Sequence, residues 1–143
     1  MHISKKCSIA IHCLIFIHEY GDKVKVTSDL VSKSTGISAV TIRNIFSSLK
    51  KEGILSVKNG TGGALIQCPL EDISLYRICQ ALEPDFLSHL IGIHDSPSSL
   101  CPVGKNIHAV LDMSYDIIRN DLKKSLETIT MKKVISDYEK MNQ

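Results

Sequence analysis

A mainly helical chain with one small β-hairpin (α+β) is the fold class this sequence predicts, and three patterns predict it. A short helix covers Thr27 to Ser34, a turn follows at Thr35-Gly36-Ile37, and a second helix occupies Ser38 through Glu52. From Gly53 to Ile66, two short apolar runs flank Asn59-Gly60-Thr61-Gly62-Gly63, a hairpin signature. After Gly104, Ile107, Val110, Leu111, Ile117, Ile118, Leu122 and Leu126 recur at helical spacing, with little sequence left over to bury them. Helix, turn, helix and a glycine-tipped ribbon, in that order, make a winged helix-turn-helix, a module that reads double-stranded DNA. The expected organisation is a winged helix-turn-helix DNA-binding domain over residues 1–83. A loop and dimerisation helices would fill residues 84–143.

Each element has its own signal. Ile9, Leu14, Phe16, Ile17 and Tyr20 suit a largely buried first helix, with Gly21 just past its end. The Ser38–Glu52 helix hides Ile42, Ile45, Phe46 and Leu49, which fall on one face. Pro69 closes the hairpin because it cannot continue a paired strand. Ser74 is a plausible cap for a helix carrying Leu75, Ile78, Cys79 and Leu82, which stops at Glu83-Pro84. Phe86, Leu87, Leu90 and Ile91 suggest one more short apolar element, and His94 through Pro102 is a loop rich in Ser and Pro. A last amphipathic helix carries Met131, Val134, Ile135, Tyr138 and Met141.

Composition narrows the function. Of 143 residues, 43% are hydrophobic and 22% charged, which is ordinary for a globular protein. Trp is absent and aromatics make up 5%, so stacking on single-stranded bases is disfavoured. The net charge of +2 hides a segregation. Residues 1–63 hold nine Lys/Arg against four Asp/Glu, residues 64–102 one against five, and residues 103–143 seven against six. Positive charge therefore sits in the segment with the proposed reading head. Lys5-Lys6 and the apolar run from Ile9 to Ile17 look like a short signal peptide. His12 interrupts that core, however, and no small-x-small cleavage site follows. No stretch approaches the roughly 18 apolar residues of a membrane span, so a cytoplasmic protein is expected. Five cysteines, an odd number, argue for reduced thiols, and Cys7, Cys13, Cys68 and Cys79 have the context of small core residues.

The reading head can be drawn residue by residue. Opposite the buried face of the second helix lie Val40, Asn44, Ser47 and Lys51, flanked by Thr41, Arg43 and Ser48. Arg43 could fork onto guanine, Asn44 could pair with adenine, and Val40 or Thr41 could pack a thymine methyl. Ser38 would cap this helix, whose N-terminus could receive a backbone phosphate. The wing tip, Lys58-Asn59-Gly60, combines positive charge with residues that tolerate left-handed backbone, and is expected to follow a groove or the phosphates. No Lys-Ser/Thr pair follows its glycines, so it is not a nucleotide-binding loop.

With these motifs in place, the chain resembles the Rrf2 family of bacterial transcription regulators, which contains IscR-, NsrR- and CymR-type proteins. The resemblance rests on Met1-His2-Ile3-Ser4 with Lys6, Gly36-Ile37-Ser38, and Leu49-Lys50-Lys51-Glu52-Gly53-Ile54-Leu55 before the wing. It continues in Ile73-Ser74-Leu75, Ala81-Leu82-Glu83 and Leu126-Glu127-Thr128-Ile129-Thr130-Met131. It implies a homodimeric regulator, a repressor or an activator, bound to a palindromic operator and sensing through the loop before the long helix. Two departures stand out. The family's wing-tip Arg-Gly reads Asn59-Gly60 here, and its Gly-Gly-Tyr reads Gly63-Ala64-Leu65. Where cluster-binding members place three cysteines for a [2Fe–2S] centre, this loop offers only Cys101. A lone thiolate cannot supply that ligand set, and His94 with His108 adds little, so no cluster or metal is expected.

Cys101 precedes a helix start at about Val103, with Lys105 in the first turn. That placement lowers a thiol's pKa and suits a redox-sensing residue; a small buried residue anchoring the loop is the plain alternative. A nucleophilic enzyme would need an acidic orienter and an oxyanion site, which the sequence does not offer. The expectation is therefore a homodimeric, non-enzymatic DNA-binding regulator, in the repressor's role, responsive through Cys101. Its rival is an interaction module that has lost DNA contacts and modulates another regulator.

Overall fold

The computed structural model describes residues 3–58 and 63–143. Helix α1, Lys5–Tyr20, begins where Ser4 caps the amide of Lys6. It is central to the core, burying Ala10, Cys13, Leu14 and Ile17. Tyr20, expected inside, is half-exposed at the helix end, where its ring packs against Phe16.

Helix α2, Ser28–Thr35, starts at Thr27, whose hydroxyl accepts the Leu30 amide at 3.2 Å. It ends at Gly36, which adopts φ +73° and donates its amide to the Ser32 carbonyl. A left-handed residue at this point turns the chain without the Cβ penalty other residues would meet. Ser32 and Thr35 brace the turn, the first donating to the Ile37 carbonyl and the second to the Val31 carbonyl. Helix α3, Ala39–Lys51, follows at once, capped by Ser38. Its apolar stripe of Ile42, Ile45, Phe46 and Leu49 is buried against α1, α2 and the hairpin.

Strands β1, Leu55–Lys58, and β2, Gly63–Ile66, pair antiparallel with Leu55 opposite Ile66 and Lys58 opposite Gly63. Gly63 is held against the segment entering α2: the Ala64 amide donates to the Val26 carbonyl at 2.9 Å. Gly63 itself has φ +66°, and a Cβ there would fall 2.8 Å from the Val26 nitrogen. Only glycine satisfies both demands, so this residue fixes the wing beside the start of α2.

A short 3₁₀ turn at Leu70–Asp72 leads to α4, Leu75–Leu82, capped by Ser74. Arg77 on α4 donates to the carbonyls of Glu52 and Asp72 at 2.9 and 3.1 Å, tying α4 to the end of α3. The apolar element after Pro84 is a 3₁₀ turn, Phe86–His89, with Phe86 and Leu90 buried. Helix α5, Pro102–Thr128, then runs 27 residues with no fully buried side chain. Ile107, Leu111, Leu122 and Leu126 are half-buried, while Val103, Val110, Met113, Ile117 and Ile118 are exposed.

Helix α6, Met131–Met141, returns to the first part of the chain. The Met131 amide donates to the Ile73 carbonyl and the Leu75 amide to the Ile129 carbonyl. Met131 and Ile135 enter the same core as α1. The expected division at residue 83 thus follows sequence order, while in space α6 packs with residues before it. Met141, expected on the apolar face, lies past the edge of that core and is exposed.

Candidate nucleic-acid interface

The outer face of α3 follows from its inner one. With Ile42, Ile45, Phe46 and Leu49 buried, the 100° step per residue turns Val40, Asn44, Ser47 and Lys51 outward, and all four are exposed. Val40 is 59% exposed, an unusual position for a β-branched apolar residue on a helix with a satisfied core stripe. Ser38 accepts the Thr41 amide at 3.3 Å, and its hydroxyl lies 3.0 Å from that of Thr41. Thr41 is accordingly half-buried and partly engaged with the cap.

The flanks of this face differ. On one side Thr41, Asn44 and Ser48 border a small recess that Lys6 of α1 and Leu82 of α4 also line. On the other side α3, the start of α2 and the wing enclose a groove of about 400 Å³. Lys25, Arg43, Lys50 and Lys58 line it with Ser28 and Ser47, and no acidic residue does. Arg43 reaches across it, its Nη1 donating to Ser28 Oγ at 3.4 Å. Four cations around one concave surface make a focused positive potential suited to a phosphate backbone.

Of the residues singled out in the sequence, Arg43, Ser47 and Lys58 therefore share the groove, Thr41 and Asn44 lie on the opposite flank, and Val40 and Lys51 lie between. Asn59 and Gly60 lie outside the described residues. The sequence reading passed over Lys25, Ser28 and Lys50. Lys50 falls on the Arg43 side of the helical wheel and was legible there. Ser28 meets Arg43 where α2 packs on α3, and Lys25 lines the groove with Lys58 where the wing docks on Val26, both tertiary contacts.

Cys101 is the N-cap residue of α5 and is exposed. The backbone amides of Gly104 and Val103 point at its sulfur and hold the thiol below its ordinary pKa. In the single chain the thiol is solvent-accessible beside the helix start. His94 and His108 lie beside each other with ring centroids 5.7 Å apart, and His108 Nε2 is 2.8 Å from the His94 carbonyl oxygen. Among the described residues no three His, Cys, Asp or Glu side chains converge as metal ligands. The loop's donor set does not fit an iron–sulfur centre.

Comparison with known proteins agrees with this architecture. The family model Rrf2, described as an iron-dependent transcriptional regulator, matches residues 3–137. The chain belongs to the Rrf2 family of transcriptional regulators. Within that family it is 29% identical over 134 residues to the "Putative HTH-type transcriptional regulator YwnA" of Bacillus subtilis strain 168, spanning 94% of this chain and 97% of that one. A crystal structure of "a putative DNA binding protein" shares 28% identity at a TM-score of 0.73, over 91% of this chain and 98% of the other. The T. potens IscR structure shares the fold at 16% identity and TM-score 0.73, covering all of this chain and 92% of that one. Family and relatives are regulators, not enzymes. Among the described residues no helix is long and apolar enough to cross a membrane.

Proposed function

We propose that this Rrf2 regulator is a cytoplasmic homodimer that binds a palindromic DNA operator, represses transcription there, and responds to oxidants through Cys101 without an iron–sulfur cluster. The observation that carries the reading is the cationic groove beside the exposed face of α3. In support, Lys25, Lys50 and Lys58 line the groove with Arg43, and Val40 and Asn44 are exposed on the face of α3 beyond it, so phosphate-binding charge and base-reading groups would serve one surface. In this reading α3 enters the major groove, Ser38 and the start of α3 meet a phosphate, and the wing follows the adjacent backbone through Lys58, with Asn59 and Gly60 proposed from the sequence as further contacts.

The dimer reading rests on α5. Val103, Val110 and Ile117 repeat every seven residues, with Met113 between Val110 and Ile117, and form an exposed apolar stripe that a second copy would cover. Two copies joined there present two α3 helices to a two-fold symmetric site, and a dimer seated over a promoter excludes the polymerase. The thiol reading rests on exposure and on the amides at the α5 N-terminus.

An electrophoretic gel shift with DNA from upstream of the protein's own coding sequence tests the core of the proposal. Binding that survives competition by unrelated DNA at moderate salt is expected; indifference to sequence would sink it. Reconstitution with iron and sulfide under anaerobic conditions is expected to leave the protein colourless.

A further inference from the structure

Beneath α5, apart from the main core, Cys7, Cys79 and Phe86 form a second buried cluster against which Tyr76, Leu87 and Leu126 pack. Cys7 lies in the first turn of α1 and Cys79 in the middle of α4. The two helices are packed together, and the thiols are 5% and 3% exposed. Their thiols lie close enough for each to shift the other's ionisation by hydrogen bonding. A single buried cysteine is an ordinary small core residue. Two on different helices that share one small buried cluster are a dithiol pair, the precondition for a disulfide of about 2.05 Å.

We propose that Cys7 and Cys79 are a redox modification site that closes to an intrachain disulfide on reaction with a small peroxide. We assign the attack to the Cys79 sulfur: hydrogen bonding with Cys7 lowers its pKa against the opposing effect of burial, while the same interaction and burial raise that of Cys7. The Cys79 thiolate attacks one peroxide oxygen, the O–O bond breaks, and a sulfenic acid forms as the departing hydroxide takes up a proton to leave as water. The Cys7 sulfur then displaces the second oxygen as water, with its own proton, and the Sγ–Sγ bond forms. In sum two thiols and one hydrogen peroxide give a disulfide and two waters. The two electrons that leave the sulfurs reduce the peroxide. Burial restricts the site to small neutral oxidants; the exposed neighbours Lys5, Lys6 and Ser8 mark the nearest solvent.

The bond would fasten α1 to α4 two residues from Arg77, which holds the end of α3. It goes beyond Cys101, and its readout is covalent, so it does not depend on DNA binding. The test uses the full chain carrying Cys101→Ser, exposed to hydrogen peroxide, quenched in acid, unfolded in excess alkylating agent and digested without reductant. Mass spectrometry is expected to find the Cys7 and Cys79 peptides joined, separable by dithiothreitol, with Cys13 and Cys68 recovered alkylated. Adding Cys79→Ser, or Cys79→Ala should the serine variant not fold, is expected to abolish the joined species and return Cys7 alkylated. Cys7 and Cys79 both recovered as free thiols would overturn the proposal, as would Cys7 joined to another cysteine or Cys79 over-oxidised without a partner.

Discussion

Arg43 and Lys50 lie seven residues apart on one flank of α3 and line the same groove, yet their chemistry assigns them different work. A guanidinium fork can distinguish a guanine edge; an ammonium on a flexible stem is a point charge for phosphate. Arg43→Ala is expected to lower discrimination at one base pair by about 1–3 kcal/mol and so relax sequence preference. Lys50→Ala should weaken all DNA sequences alike and reduce the salt slope of binding by about 1. Binding titrations on matched and mismatched sites at several salt concentrations separate the two outcomes. At Cys101 the amides of Gly104 and Val103 favour the thiolate, so its folded pKa lies below the ordinary 9.0. Its rate of alkylation should therefore stay high as the pH falls below 9.0, and drop only as the pH passes down through the lowered value. A pH profile of iodoacetamide reaction, read by mass spectrometry at Cys101, checks this; a profile centred at or above the ordinary value would contradict it.

Elements of this molecule hold position through few contacts, and the wing shows it best. A two-stranded ribbon has little stability of its own. Here β2 borrows a backbone hydrogen bond from Val26 and depends on a glycine whose Cβ would strike that same backbone. Gly63→Ala is expected to cost about 1–3 kcal/mol of stability through the left-handed backbone and the clash. It should also lower DNA affinity more than a surface change of similar stability cost, since the groove loses its wing wall. Chemical denaturation alongside binding titrations gives both quantities. Helix α3 is steadied in turn by Arg77, whose hydrogen bonds to the Glu52 and Asp72 carbonyls link it to α4.

As a whole molecule, the chain carries a charge division and an exposed apolar stripe on α5. Cations gather in the first 63 residues, and acidic residues outnumber basic ones between 64 and 102. On α5, Met113 and Ile117 are 74% and 64% exposed one helical turn apart, a contiguous apolar stripe on a helix with no buried residue. If α5 forms the proposed dimer interface, Ile117→Glu is expected to place like charges across it and leave a folded monomer in analytical ultracentrifugation. Because two linked heads raise effective concentration, operator affinity should fall by roughly 10²–10⁴ with the dimer. A variant that stays dimeric would place the interface elsewhere.

Element types and the buried face of α3 were legible without coordinates, because they depend on local periodicity, caps and turn residues. Ser38, Ser74 and Gly36 stand at the ends of helices where their chemistry says they should. The outward set of Val40, Asn44, Ser47 and Lys51 follows from the same period, with no knowledge of the rest of the molecule. What could not be had from local pattern was any relation between distant segments. Lys25 and Ser28 join Arg43 and Lys58 in one groove where α2 packs on α3 and the wing docks on Val26. Helix α6 enters a core built mostly from the first half of the chain, and Cys7 meets Cys79 across two helices. Such contacts are set by which faces bury together, a global outcome of packing. The chain's own order therefore names its elements and its reading helix, while three-dimensional packing alone decides which cations surround that helix and which cysteines stand as a pair.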